Sequence, residues 1–193
     1  LLGEVDFILA EDTRTTGKLL KHHAISKPLF AHHIHNEHKT LERVIDQIKA
    51  ANSVAIVSDA GTPAISDPGF LLVRECIKKG IDVCCLPGPS AVIPALVGSG
   101  FPSDSFVFEG FLPHKKGRQT KWKQIAEEKR TVSLDESPHR LLRALKEMTE
   151  YLEADREVCV AREISKIHET FHRGTAQELL AYFEKNAPKG EIV

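Results

Sequence analysis

Two rhythms of apolar and polar positions alternate along the chain: short apolar runs, and longer stretches with apolar residues three and four apart. The run VDFILA predicts a strand at 5–10, followed by a helix at 12–22 and a short extended piece at 28–31. Leu41, Val44, Ile45 and Ile48 have the spacing of an amphipathic helix. Val54, Ile56 and Val57 predict a strand at 53–58. A helix at 70–79 stops at Gly80, where glycine relieves a left-handed cap. A strand at 81–86 and a helix rich in small residues at 90–97 follow, then GSGFPS at 98–103, which reads as a hinge or linker. A second series begins with strands at 106–109 and 131–135 flanking a helix at 119–129. Ser137 can N-cap a helix with Pro138 at its first position and Leu141, Leu142, Leu145 and Met148 on its apolar stripe. The last elements are a strand at 158–161 and a helix opened by a capping box of Thr175 and Glu178, with Leu179, Leu180 and Phe183 behind it. Residues 190–193 read as the start of a further strand.

Strand–helix alternation predicts an α/β protein with a mostly parallel sheet. The hinge divides it into an N-terminal α/β domain at 1–103 and a C-terminal α/β domain at 104–193, within what 193 residues allow. No run of eighteen apolar residues predicts a membrane span, and no signal-peptide pattern opens the chain. The chain begins at Leu1 close to its first strand and ends in one, so both ends are expected to be cut. A formal net charge of −1 excludes a globally basic nucleic-acid binder but allows a local basic patch. The four cysteines, Cys76, Cys84, Cys85 and Cys159, form no C-x-x-C pair. They are expected to be small buried thiols in a reducing cytoplasm.

Three strand-to-helix turns carry candidate chemistry. SDAGTPAISDPG at 58–69 combines two glycines, two prolines and two aspartates in a compact loop. Glycine admits a ligand close to the backbone, and strand carboxyl ends are where α/β folds bind ligands. Neither a Walker loop nor G-x-G-x-x-G is present, so the pattern is that of a ligand loop without the phosphate signature. PGPSA at 87–91 follows the next predicted strand and points to the same pocket. ESPHR at 136–140 gathers a glutamate, a histidine and an arginine at a third strand end, where a capped helix with solvated charges is the plainer alternative.

Taken in order, EDTRTTGKLL, SDAGTPAISDPG, LPGPSA, FEGFLPHKKGR, ESPHR and AREISKIHE resemble the tetrapyrrole-methylase superfamily, and within it the branch that methylates a ribose 2′-hydroxyl of a cytidine in small-subunit 16S ribosomal RNA. The resemblance implies two α/β domains, a homodimer, and S-adenosylmethionine in the cleft between the domains. It places cofactor contacts on Asp59, Ala60, Gly61 and Thr62, and on Ser90 and Ala91, with Glu136, Ser137 and Ala161 where the second domain closes over the cofactor. Two departures stand out. The family's opening strand and glycine loop are not in this sequence, and TVSLD at 131–135 replaces a more apolar run that ends in an aromatic.

Methylating a ribose oxygen requires a weak nucleophile in line with the methyl carbon, helped by a base or by charge that stabilises a developing alkoxide. Glu11, Asp12, Arg14, Glu136, His139, Arg140, Arg162 and Glu163 are candidates, with Asp12, Arg14, Glu136 and Arg140 foremost; an interdomain salt-bridge network is the alternative use for them. Lys115, Lys116 and Arg118, continued by Lys121, Trp122 and Lys123, form a basic stretch with one aromatic, suited to RNA phosphates and stacking. His32, His33, His35 and His38 cluster as metal ligands do, but no cysteine joins them, and no metal is expected. Two other readings remain open: C-methylation of a tetrapyrrole or corrin precursor, and a non-catalytic ribosome-assembly protein.

Overall fold

The computed structural model describes residues 1–33 and 36–193. Two compact units result, Leu1–Pro89 and Ser90–Val193. In the first, β1 (Phe7–Ala10), β2 (Leu29–Ala31) and β3 (Val54–Val57) form a parallel sheet in the order β2-β1-β3. β1 is central and buried at every residue, as a parallel strand covered on both faces must be. Phe7 and Leu9 pack with Val44, Ile45, Leu72 and Cys76, from α2 (Glu37–Lys49) and α3 (Phe70–Lys78). Ile8 points the other way, to Val5 and to Leu20 of α1 (Thr13–His22). The period-two alternation of one strand thus fills two cores.

The second unit opens with α4 (Val92–Ser99). β4 (Phe106–Phe111) and β5 (Thr131–Asp135) pair in parallel, and β6 (Glu157–Arg162) and β7 (Thr170–Thr175) pair antiparallel. α5 (Arg118–Glu127), α6 (Leu141–Tyr151) and α7 (Ala176–Lys185) supply the apolar cover, centred on Trp122, Leu141, Leu145, Leu179 and Phe183. Ile192 bridges to both Glu136 and Arg162, so the expected strand start at 190–193 does lie between β5 and β6. A cavity of about 290 Å³ runs between those two strand edges, walled by core side chains such as Leu134, Leu145 and Val160. It is a gap in the sheet core whose lining reaches Asp135 and Glu136 at the carboxyl end of β5.

Several expectations need correction. Residues 81–86 form no strand: Val83, Leu86, Cys84 and Cys85 are exposed, against the expected burial of these thiols. β3 is a sheet edge, and among the described residues no neighbour brings 81–86 into a ladder, which an extended apolar run needs for its backbone groups. The 98–103 stretch begins as the last turn of α4, which packs on β6 and β7; Gly98 lies so close to Phe171 that a Cβ there would overlap the ring. Arg173 then donates to the carbonyls of Gly98 and Ser99, closing the helix end. Ser137 does not cap α6: a turn from Ser137 to Arg140 precedes it, and Arg140 is its N-cap residue. β7, TFHRGT, carries no apolar run that would announce it.

Candidate active site

In the first unit the carboxyl ends of β1 and β3 bring together Asp12, Arg14 and the 58–69 loop. Asp12 is the N-cap of α1 and accepts from the Arg14 amide at 2.7 Å. Its carboxylate is also gripped by the Arg14 guanidinium, with contacts of 2.6, 3.0 and 3.1 Å. That side-chain hydrogen bonding, reinforced by the backbone amide, holds the Asp12 carboxyl at about 2, well below its ordinary 3.8. Arg14 is exposed and feels the negative charge of Asp59. The Asp59 amide donates to Glu11 at 3.2 Å, joining the two strand ends.

Asp59, Ala60 and Gly61 are exposed, and Gly61 has φ +72° with open space where a side chain would stand. Its left-handed backbone therefore lies bare to a ligand. These features suit the S-adenosylmethionine implied by the resemblance, which offers a ribose diol, an amine and a carboxylate to backbone groups and to an acidic side chain. Glu37, not singled out from sequence, holds the far end of the loop. Buried, it accepts from Gly69 and Leu71 amides at 3.0 and 3.1 Å. His32 lies 3.7 Å from the same oxygen, too far for a hydrogen bond, and burial pushes its imidazole pKa down.

Of the histidine group, His35 lies outside the described residues. Among the described residues no three His, Cys, Asp or Glu side chains gather as a metal set. Ser90 and Ala91 open the second unit, Ala91 as the N-cap residue of α4.

In the second unit the carboxyl ends of β4 and β5 gather Glu136, Arg140 and the 112–117 loop. Buried Glu136 takes the Arg140 Nε at 2.8 Å and the Ser137 amide at 2.8 Å, and lies 3.6 Å from Arg118. Lys115 and Lys116 are exposed. Arg118 is not: it is 2% exposed, bonded to Glu147 at 2.6 Å and to the Pro113 carbonyl at 3.2 Å. Trp122, the aromatic of the expected RNA-binding stretch, is fully buried and donates to the same Glu147 oxygen at 2.9 Å. Burial alone would raise the Glu147 carboxyl; the hydrogen bonds from Trp122 and Arg118 outweigh it and hold the group low. Arg118 and Trp122 sit on the inward face of α5 because Ile125 shares it, so the basic stretch divides into solvated lysines and a buried ionic core. Arg162 and Glu163 are likewise engaged within the unit, with Thr170 and the Lys189 carbonyl, and with Lys166 and the Glu191 amide.

Residues 1–180 match the family described as Tetrapyrrole (Corrin/Porphyrin) Methylases. Ribosomal RNA small subunit methyltransferase I of Thermotoga maritima is 48% identical over 191 residues, 99% of this chain and 86% of that protein. Its namesake in Synechocystis is 49% identical over 192 residues, 99% of this chain and 69% of that protein. Among solved structures, a cobalamin-biosynthetic cobalt precorrin-4 methyltransferase shares the fold at TM-score 0.62 and 19% identity, covering 99% of this chain and 83% of that one. The uroporphyrin III C-methyltransferase of Thermus thermophilus does so at TM-score 0.62 and 14% identity, covering 100% and 86%.

Proposed function

Since the chain belongs to the tetrapyrrole (corrin/porphyrin) methylase family, we propose that it is a methyltransferase that moves the methyl group of S-adenosylmethionine to the ribose 2′-hydroxyl of a cytidine in small-subunit 16S ribosomal RNA. The observation that carries the substrate is the 48–49% identity, across 99% of the chain, to proteins named for methylating that RNA. The corrin and porphyrin methylases share only the fold at 14–19% identity, which supports no tetrapyrrole substrate here. In this reading the substrate is the assembled small subunit, and the enzyme works as a homodimer in the cytoplasm.

S-adenosylmethionine supplies an activated methyl group when bound. The chain's own residues bind, orient and handle charge. Asp59, Ala60, Gly61 and Thr62 hold the cofactor through the bare loop backbone and the Asp59 carboxylate, with Ser90 and Ala91 as further contacts. Asp12 is too acidic to be an effective base, held as it is by Arg14. Its part is to fix the Arg14 guanidinium, an exposed cation able to stabilise developing negative charge or a substrate phosphate. Glu136 is engaged by Arg140 in the same manner and positions that guanidinium. Lys115 and Lys116 meet phosphates; Arg118 supports their loop from beneath.

The test is incubation with methyl-labelled S-adenosylmethionine and either unmethylated small subunits or a precorrin-type tetrapyrrole. Label in the RNA is expected. Label in the tetrapyrrole alone overturns the substrate, and subunit binding without transfer indicates an assembly protein.

A further inference from the structure

β4 ends in an irregular turn of backbone. Its pairing with β5 jumps from Phe108 to Gly110, leaving Glu109 as an extra residue, and Gly110 has φ +59°. Such a bulge, with a glycine in the left-handed region, re-aims the side chains that follow. Leu112 turns into the core at 2% exposure, and Phe111 turns out at 54%.

A fixed cation stands beside that exposed ring. The Arg140 guanidinium lies 5.7 Å from the Phe111 centroid. One of its nitrogens is 3.1 Å from both ring nitrogens of His114. An in-plane approach equidistant from both would collide with the carbon between them, so the guanidinium lies against the imidazole face. Glu136 fixes it from behind at 2.8 Å. Lys115 and Lys116 follow in the same loop, and Arg143 donates to the His114 carbonyl at 3.3 Å. The segment 111–118, FLPHKKGR, contains no acidic residue. Of the acids around it, Glu136 is engaged by Arg140, Glu147 by Arg118 and Arg143, and Glu109 by Lys121, while Asp135 stands opposite Phe111 in the strand register.

We propose that Phe111 is a stacking platform for an unpaired RNA base, with Arg140 held beside it and with Lys115 and Lys116 engaging the flanking phosphates. This rests on the RNA-methyltransferase reading and gives it a recognition surface. An apolar ring on a bulged strand end, ringed by fixed and mobile cations, matches what single-stranded RNA presents: a π-face between two negative charges. A purely apolar partner would desolvate Lys115 and Lys116 without offering them a counter-charge.

The test uses single-stranded RNA carrying 2-aminopurine at an unpaired position, together with unmethylated small subunits. The wild-type protein is expected to quench the fluorophore and bind the RNA. F111A and F111L are expected to lose the quench and weaken binding on the order of tenfold to a hundredfold, whereas F111W retains both. The thermal midpoint, S-adenosylmethionine affinity and salt slope of RNA binding should be unchanged in F111L, because the ring is exposed and uncharged. Wild-type-like quench and affinity in F111L overturn the platform while leaving the RNA reading intact, and so does a loss confined to cofactor affinity. A wild-type protein that neither binds nor methylates RNA overturns the RNA reading and the platform together.

Discussion

The Glu37 carboxylate accepts a hydrogen bond from the Gly69 amide at 3.0 Å, thirty-two residues along the chain. Gly69 is the N-cap residue of α3 and closes the 58–69 loop, so one buried side chain both caps a helix and pins the ligand loop. With Leu71 as the second donor, Glu37 satisfies two amides at a helix start, where negative charge is also favoured by the helix dipole. Replacing Glu37 with Ala leaves those amides buried and unpaired. It should cost about 1–3 kcal/mol in denaturant unfolding and weaken S-adenosylmethionine binding in calorimetry. Glu37→Gln keeps an acceptor and should retain most of both.

The Asp12–Arg14 pair makes a signed prediction about pH. Asp12 has its folded pKa depressed from 3.8 to about 2. Its contribution to stability is therefore complete above about pH 4 and is lost as pH falls through about 2. Carbon-detected NMR of the wild-type protein should show the Asp12 carboxyl titrating near 2. In Arg14→Gln the midpoint should move back toward the ordinary aspartate value while α1 stays capped, since the backbone amide of residue 14 still reaches Asp12. Methyl transfer should fall in Arg14→Gln without any loss of fold. An unmoved midpoint would mean the pair is not formed in solution.

Lys115, Lys116 and Arg118 are adjacent in sequence, but their substitutions should fail in different ways. Arg118→Ala takes the buried guanidinium away from half-buried Glu147, leaving it Trp122 and Arg143, and should destabilise the protein by about 1–3 kcal/mol, seen as a lowered denaturation midpoint. Lys115→Ala and Lys116→Ala should leave that midpoint unchanged. Each should instead reduce the salt slope of RNA binding by about one, as a lost phosphate contact does. If Arg118→Ala folds normally and only loses RNA affinity, its assignment to the interior is wrong.

Thiol reactivity should separate the cysteines. Cys84 and Cys85 are exposed and should label rapidly with a maleimide. Cys76 and Cys159 should label slowly, because burial pushes both thiols up in pKa and limits access. Mass spectrometry of a brief labelling reaction reads all four at once.

Sequence patterns were informative wherever the cause was local. The Thr175–Glu178 capping box and the stop at Gly80 each depend on residues within a turn of one another, and each is found in place. The approach of the 58–69 loop to Asp12 and Arg14 follows from the parallel pairing of β1 and β3, which puts their following loops on one edge. Features set by distant partners were hidden. The run at 81–86 has strand composition but, among the described residues, no neighbour to pair with, and β7 has a neighbour but no apolar signature. Trp122 and Phe111 are both aromatics in basic surroundings; only the inward face of α5 and the bulge at Gly110 decide that the first is core and the second surface. Glu37 carries no local signal of its role, because its partners Gly69 and Leu71 lie thirty-two and thirty-four residues away.

The central claim is that the methyl group goes to a ribose oxygen of small-subunit RNA, and alkaline hydrolysis of the labelled product tests it most directly. Alkali cleaves RNA through attack by the 2′-hydroxyl, so a 2′-O-methyl nucleotide protects the bond that follows it. Small subunits treated with the protein and methyl-labelled S-adenosylmethionine should yield the label in an alkali-stable dinucleotide that begins with cytidine. Label released in a mononucleotide would place the methyl group on a base and contradict the account.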